Sequence, residues 1–113
     1  MDNTIDRDII RNHIDAIILR LLTERDRYGY EICKEVASRS GGAYELKEPS
    51  LYTALRRLAA GGQVSSYWGD GASQGARRKY YRITKSGRAW FKHTLAEWRS
   101  IKQLMDKLIG EEA

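Results

Sequence analysis

Pro49-Ser50-Leu51-Tyr52-Thr53-Ala54-Leu55-Arg56-Arg57-Leu58-Ala59-Ala60-Gly61-Gly62 carries the first architectural signal of this chain. Proline suits the first turn of a helix because its missing N–H has no helical partner there. Glycine takes the left-handed conformation that closes one. The stretch therefore predicts a helix from about Pro49 to Ala60. Leu51, Ala54, Leu55 and Leu58 share one face and need a core to pack on. At about 100° per residue, the opposite face carries Thr53, Arg56 and Ala60, flanked by Ser50, Tyr52 and Arg57. Arginine pairs with guanine edges in a major groove, and hydroxyls reach phosphates or base edges. An ordinary solvated face is built from the same residue types, so this helix alone leaves both readings open.

Downstream lie two β-type runs, Val64 to Trp68 and Lys79 to Ile83. They flank Gly69-Asp70-Gly71-Ala72-Ser73-Gln74-Gly75, which reads as the tip of a long hairpin. Arg77, Arg78 and Lys79 stand at its base, where side chains reach phosphates or a minor groove. Tyr80 and Tyr81 alternate faces, so one belongs to the core and the other to solvent. Thr84 caps a last helix from Lys85 to about Ile109. Its apolar positions Phe91, Trp98, Ile101, Met105 and Leu108 follow a coiled-coil-like period, widened by Trp90, Leu95 and Leu104.

Upstream, Ile5 to Leu22 has apolar residues at helical spacing and predicts a first helix, with Asp6 and Asp8 near its positive end. Tyr28 to about Arg39 predicts a second, with Ile32, Val36 and Cys33 inward, stopped by Ser40-Gly41-Gly42. A short extended piece, Ala43 to Leu46, leads into Pro49. The expected fold is thus mainly α with a two-stranded β wing: a winged helix-turn-helix over residues 1–84, then a dimerisation helix over residues 85–113. A helix of roughly 25 residues spans about 37 Å, too long to bury its whole stripe on so small a domain. A second copy of the chain is the expected cover.

Charge distribution supports a polyanionic partner. The formal charge is only +5, but no acidic residue occurs between Gly71 and Ala96, where Arg77, Arg78, Lys79, Arg82, Lys85, Arg88 and Lys92 all lie. A basic wing beside a polar helix face favours double-stranded DNA. A dimer would present two such helices roughly 34–36 Å apart, which implies a palindromic operator. Cys33 is the only cysteine, so no internal disulfide forms. Neither a signal peptide nor a membrane-length apolar run is read, and a reducing cytoplasm is the expected home. His13, His93 and Cys33 have no metal-ligand spacing, and no nucleophile with an adjacent base can be placed, so no metal, cofactor or enzymatic activity is expected.

These residues together resemble the PadR family of transcriptional regulators. The carriers are Tyr28-Gly29-Tyr30-Glu31-Ile32, the run from Pro49 to Leu58, and Arg78-Lys79-Tyr80-Tyr81-Arg82-Ile83-Thr84-Lys85-Ser86-Gly87. The length matches the family's short form, which has one C-terminal helix. Within it, Ser65-Ser66-Tyr67-Trp68-Gly69-Asp70 and Trp98 are similar to a multidrug-binding repressor. The resemblance implies a homodimer whose first and last helices enclose a central pore. Planar aromatic compounds would lie there between paired tryptophans, relieving repression at the promoter of an efflux transporter. The pore tryptophan carries over to Trp98, with Ile9, Ala16, Leu95 and Lys102 around it. Two departures bear on the ligand: Lys102 stands where the relative has an acid, and Leu95 replaces an aromatic. An apolar cation would then need Asp15 as its counter-charge. Two alternatives stay open: a regulator with no effector, whose Trp98 is only dimer core, and a winged-helix module that docks other proteins.

Overall fold

The four apolar residues of the opening stretch are all buried, Leu51 and Leu58 completely. They form the inner face of a helix that runs Glu48–Ala60, with Pro49 in its first turn. The computed structural model describes residues 10, 13–69 and 77–110. In chain order its elements are α1 (Ile14–Glu24), β1 (Arg27–Tyr28), α2 (Gly29–Arg39), α3 (Glu48–Ala60), β2 (Val64–Trp68), β3 (Lys79–Ile83) and α4 (Lys85–Ile109).

Glycine closes α2 and α3 by the same device. After α3, the Gly62 amide bonds to the Ala59 carbonyl and the Gln63 amide to that of Leu58, at 3.0 and 2.9 Å. Gly62 has φ +76°, a conformation that a side chain would strain. After α2, Gly41 and Gly42 bond back to Ser38 and Ala37 in the same pattern. At the start of α4, the Thr84 hydroxyl accepts the Gly87 amide at 2.9 Å and donates to the Gly62 carbonyl at 2.7 Å. One side chain thus caps α4 and ties it to the turn after α3.

The core is Ile18, Leu19 and Leu22 of α1, Ile32 of α2 and Leu51, Leu55 and Leu58 of α3, all essentially inaccessible. Val64, Tyr81 and Ile83 close it from the sheet, and Phe91 from the first turns of α4. Beyond Phe91 the helix leaves the core. Trp98, Ile101, Leu104, Met105 and Leu108 are all exposed in the single chain.

The fold departs from expectation in two places. The two-stranded wing is joined by a third strand, in the order β1-β3-β2, with Arg27 opposite Tyr81 and Tyr28 opposite Tyr80. A two-residue strand has no period to read, and the free edge of β3 creates it. The expected first helix is interrupted at His13, a turn residue after the helical Ile10, and its described run Ile14–Glu24 passes Leu22. Of the expected residues before it, 5–9, 11 and 12 lie outside the described ones, as does most of the hairpin tip. Ala43 to Leu46 joins no sheet and is pinned by the buried Leu46.

Candidate functional site

The outer face of α3 is polar and open. Ser50, Thr53 and Arg56 are exposed, and the Arg56 guanidinium lies 3.4 Å from the Thr53 hydroxyl. The two other residues expected on this face are engaged elsewhere. Tyr52 is half-buried against the core, and its ring reaches the start of α2, where a Cβ at Gly29 would collide with its hydroxyl. Burial, then the charge of Glu48, pushes the Tyr52 phenol up from its ordinary range. Arg57 is exposed but turned toward α1, where both oxygens of Asp15 accept from its guanidinium. That hydrogen-bonded pairing raises the Arg57 pKa further.

The wing presents cations on aromatic rings. Arg77 and Lys79 flank the exposed indole of Trp68, at 5.8 and 6.0 Å from its ring. Arg78 lies 4.8 Å over Tyr28. Tyr80 is half-buried rather than free, stacked on Tyr67 at 5.7 Å and edge-on to Tyr28 at 5.4 Å. Tyr81 takes the core position. Arg82 continues the array over Tyr67 at 4.9 Å, and the Tyr67 hydroxyl donates to Asp26 at 2.6 Å. That hydrogen bond to a carboxylate is the first cause of a raised Tyr67 pKa. Contact with the rings limits the rotamer freedom that these cations would lose on meeting phosphates. Sequence reading missed this array; its signal was the alternation of Tyr80 with the basic residues on β3.

A second site opens between α1, α2 and α4: an apolar groove of about 460 Å³. Trp98, Leu95 and Ala16, all expected at a ligand site, line it together. His13, Ile17, Arg20, Val36 and Phe91 also line it and were not anticipated, although Ala16 and Arg20 stand one helical turn apart. The His13 ring meets Trp98 edge-on at 5.6 Å. Arg20 lies 5.0 Å over the Phe91 ring. Asp15 and Lys102 do not line the groove; Asp15 is paired with Arg57, and Lys102 is exposed farther along α4. Ile9 lies outside the described residues.

A salt-bridge network braces the groove's far end. Arg39 donates to Glu24 at 2.6 and 2.9 Å and to Glu35 at 2.8 Å. Glu24 also accepts from the buried Arg27 at 2.8 Å, while Arg27 Nε donates to the Leu21 carbonyl. The Arg39 hydrogen bond is the main reason that the Glu24 carboxyl is lowered to about 2. Among the described residues no group of three or more His, Cys, Asp or Glu side chains is disposed to hold a metal ion, and no helix is long and apolar enough to cross a membrane.

Known proteins share both the sequence pattern and this architecture. The profile of the transcriptional regulator PadR-like family matches residues 18–93. An uncharacterised protein of Lysinibacillus sphaericus is 46% identical over 99 residues, 88% of this chain and 90% of that one. Among solved structures, a transcriptional regulator from Clostridium thermocellum superposes with a TM-score of 0.84 at 40% identity, covering 94% of this chain and 99% of that one. A PadR family transcription regulator from Clostridium difficile gives 0.79 at 39% identity, covering 87% and 99%.

Proposed function

We propose, from the premise that this chain belongs to the PadR-like family of transcriptional regulators, that it is a dimeric, ligand-responsive repressor. The family consists of regulators rather than enzymes, and the chain's activity is DNA-binding regulation of transcription.

Ser50, Thr53 and Arg56 read base edges in the major groove, and Arg77, Arg78 and Lys79 hold phosphates beside it. Tyr52 sets the angle between α3 and α2 instead of reading DNA. The exposed stripe of α4, within residues 85–113, pairs with a second copy, so two α3 helices meet a palindromic operator. A planar aromatic compound enters the groove at Trp98 and loosens the grip on DNA, relieving repression of an efflux gene. Such a regulator works in the cytoplasm.

One observation carries the coupling. Asp15 holds Arg57 of α3, and its chain neighbour Ala16 lines the groove. A ligand that shifts α1 therefore acts on the DNA-facing helix through one ion pair.

The test is titration of a planar aromatic dye into wild type and Trp98→Ala, with and without operator DNA. Saturable binding that Trp98→Ala abolishes and that DNA weakens is the expected result, since coupling between two sites is reciprocal. Flat titrations with intact DNA binding would leave Trp98 as dimer core in a regulator without an effector.

A further inference from the structure

We infer that the occupant of the Trp98 groove is an amphipathic organic anion, an apolar ring system bearing one carboxylate or sulfonate, with its acid group held at the rim by Arg20. The inference rests on the reading of this groove as a ligand site and adds the chemical class of ligand.

The walls are apolar: Ala16, Ile17, Val36, Phe91, Leu95 and Trp98. At about 460 Å³ the space falls within the range of small-molecule pockets. Apolar walls fix the body of a ligand but not its charge. The charged side chains along the groove decide that, and among the described residues that line it there is no carboxylate. Two guanidinium groups line it, and they differ in one respect. Arg39 is held by Glu24 and Glu35, so its charge is already answered. Arg20 has no carboxylate within ion-pair distance among the described residues and rests on the Phe91 ring.

Neither acid of α1 lines the groove: Glu24, one turn from Arg20, is held by Arg39 and Arg27, and Asp15 by Arg57. A cation entering the groove would thus meet Arg20 with no carboxylate among the described lining residues to offset the repulsion. An anion would instead give Arg20 its missing partner through a charge-assisted hydrogen bond. Arg20 is exposed, so the acid group stays at the wet mouth while the rings lie against Trp98 and Phe91. Neither charge has to be buried, which removes the main cost of such a pair.

The test is calorimetric titration of three naphthalenes of matched shape: 2-naphthoate, 2-naphthamide and 2-naphthylmethylammonium. Wild type should bind the carboxylate about fivefold more tightly than the amide, the upper end for a partly exposed ion pair. The ammonium should bind most weakly. Arg20→Gln should abolish the preference for the carboxylate while leaving amide affinity unchanged, and that amide affinity reports an intact groove. Equal affinities, or a preference for the ammonium, would overturn the anion assignment while leaving the ligand site standing. A carboxylate preference that survives Arg20→Gln would overturn the role of Arg20. Binding of none of the three would remove the ligand site itself, and the inference with it.

Discussion

Asp15 and Arg57 form a two-point ion pair between α1 and α3, with Arg57 Nη2 2.5 Å from Oδ1 and Nε 3.2 Å from Oδ2. The pair answers one cation of α3 and ties that helix to α1, whose Ala16 lines the groove. Exposed pairs of this kind add little stability. Asp15→Asn should therefore leave the fold intact while releasing Arg57. DNA affinity should rise, and the slope of log affinity against log salt should steepen by about 1. An unchanged slope in electrophoretic or anisotropy titrations would mean that Arg57 stays off the phosphates even when freed.

Arg56 and Thr53 form the open part of the α3 face. Arg56→Ala should cost roughly 1–3 kcal/mol on a cognate operator and relax preference at one base pair, the behaviour of a lost base-edge contact. Thr53→Ala should shift preference at a neighbouring position. Binding-site selection from a randomised pool reads both. A uniform loss across all sequences would assign these residues to the phosphates instead.

Arg77 and Arg78 should behave in the opposite way. The double substitution to alanine should weaken binding to every duplex and reduce the salt slope by about 2. Trp68→Ala should reproduce part of that loss without changing the net charge, because the indole flanked by Arg77 and Lys79 would no longer hold them in place. Titration at several salt concentrations separates the two effects.

Acid stability should depend on Glu24. Its folded-state pKa is lowered from 4.5 to about 2, chiefly by the hydrogen bond from Arg39. A carboxylate held down in this way contributes fully above its unfolded pKa, and the contribution is lost as pH falls toward the folded value. Thermal unfolding of wild type should therefore show Tm declining over that window, from about pH 5 downward. Glu24→Gln should start lower and decline less steeply. Parallel curves for the two proteins would assign the acid limb to other carboxylates.

Gly87 stands in the first turn of α4, where a Cβ would strike the Gln63 carbonyl. That neighbour is backbone and cannot rotate away. Gly87→Ala should cost about 1–3 kcal/mol by overpacking, with Tm falling by roughly 5–15 °C. Gly61→Ala is the control: its φ is −83° and the nearest side-chain atom is 3.4 Å from a built Cβ, so Tm should hardly move.

Much of this molecule is legible along the chain because the signals are local. The limits of the wing strands, Val64–Trp68 and Lys79–Ile83, follow from composition, and Thr84 marks the start of α4 through its own hydroxyl. The buried face of α3 follows from spacing alone. What α3 does with its outer face is less legible, since Ser50, Tyr52, Thr53, Arg56 and Arg57 look equivalent on a helical projection. Packing separates them: Tyr52 turns to Gly29, Arg57 to Asp15, and the other three remain open.

The sequence by itself determined the order of the helices and the two wing strands, the winged-helix class and the basic wing, because period, caps and charge runs act between residues close along the chain. Only the tertiary structure decided which charges are free. Arg20, Arg39 and Arg57 are the same residue type on neighbouring helices, yet Arg39 is answered by Glu24, Arg57 by Asp15 and Arg20 by no carboxylate among the described residues. Electrostatic partners are chosen by distance in space, which periodicity along the chain does not encode.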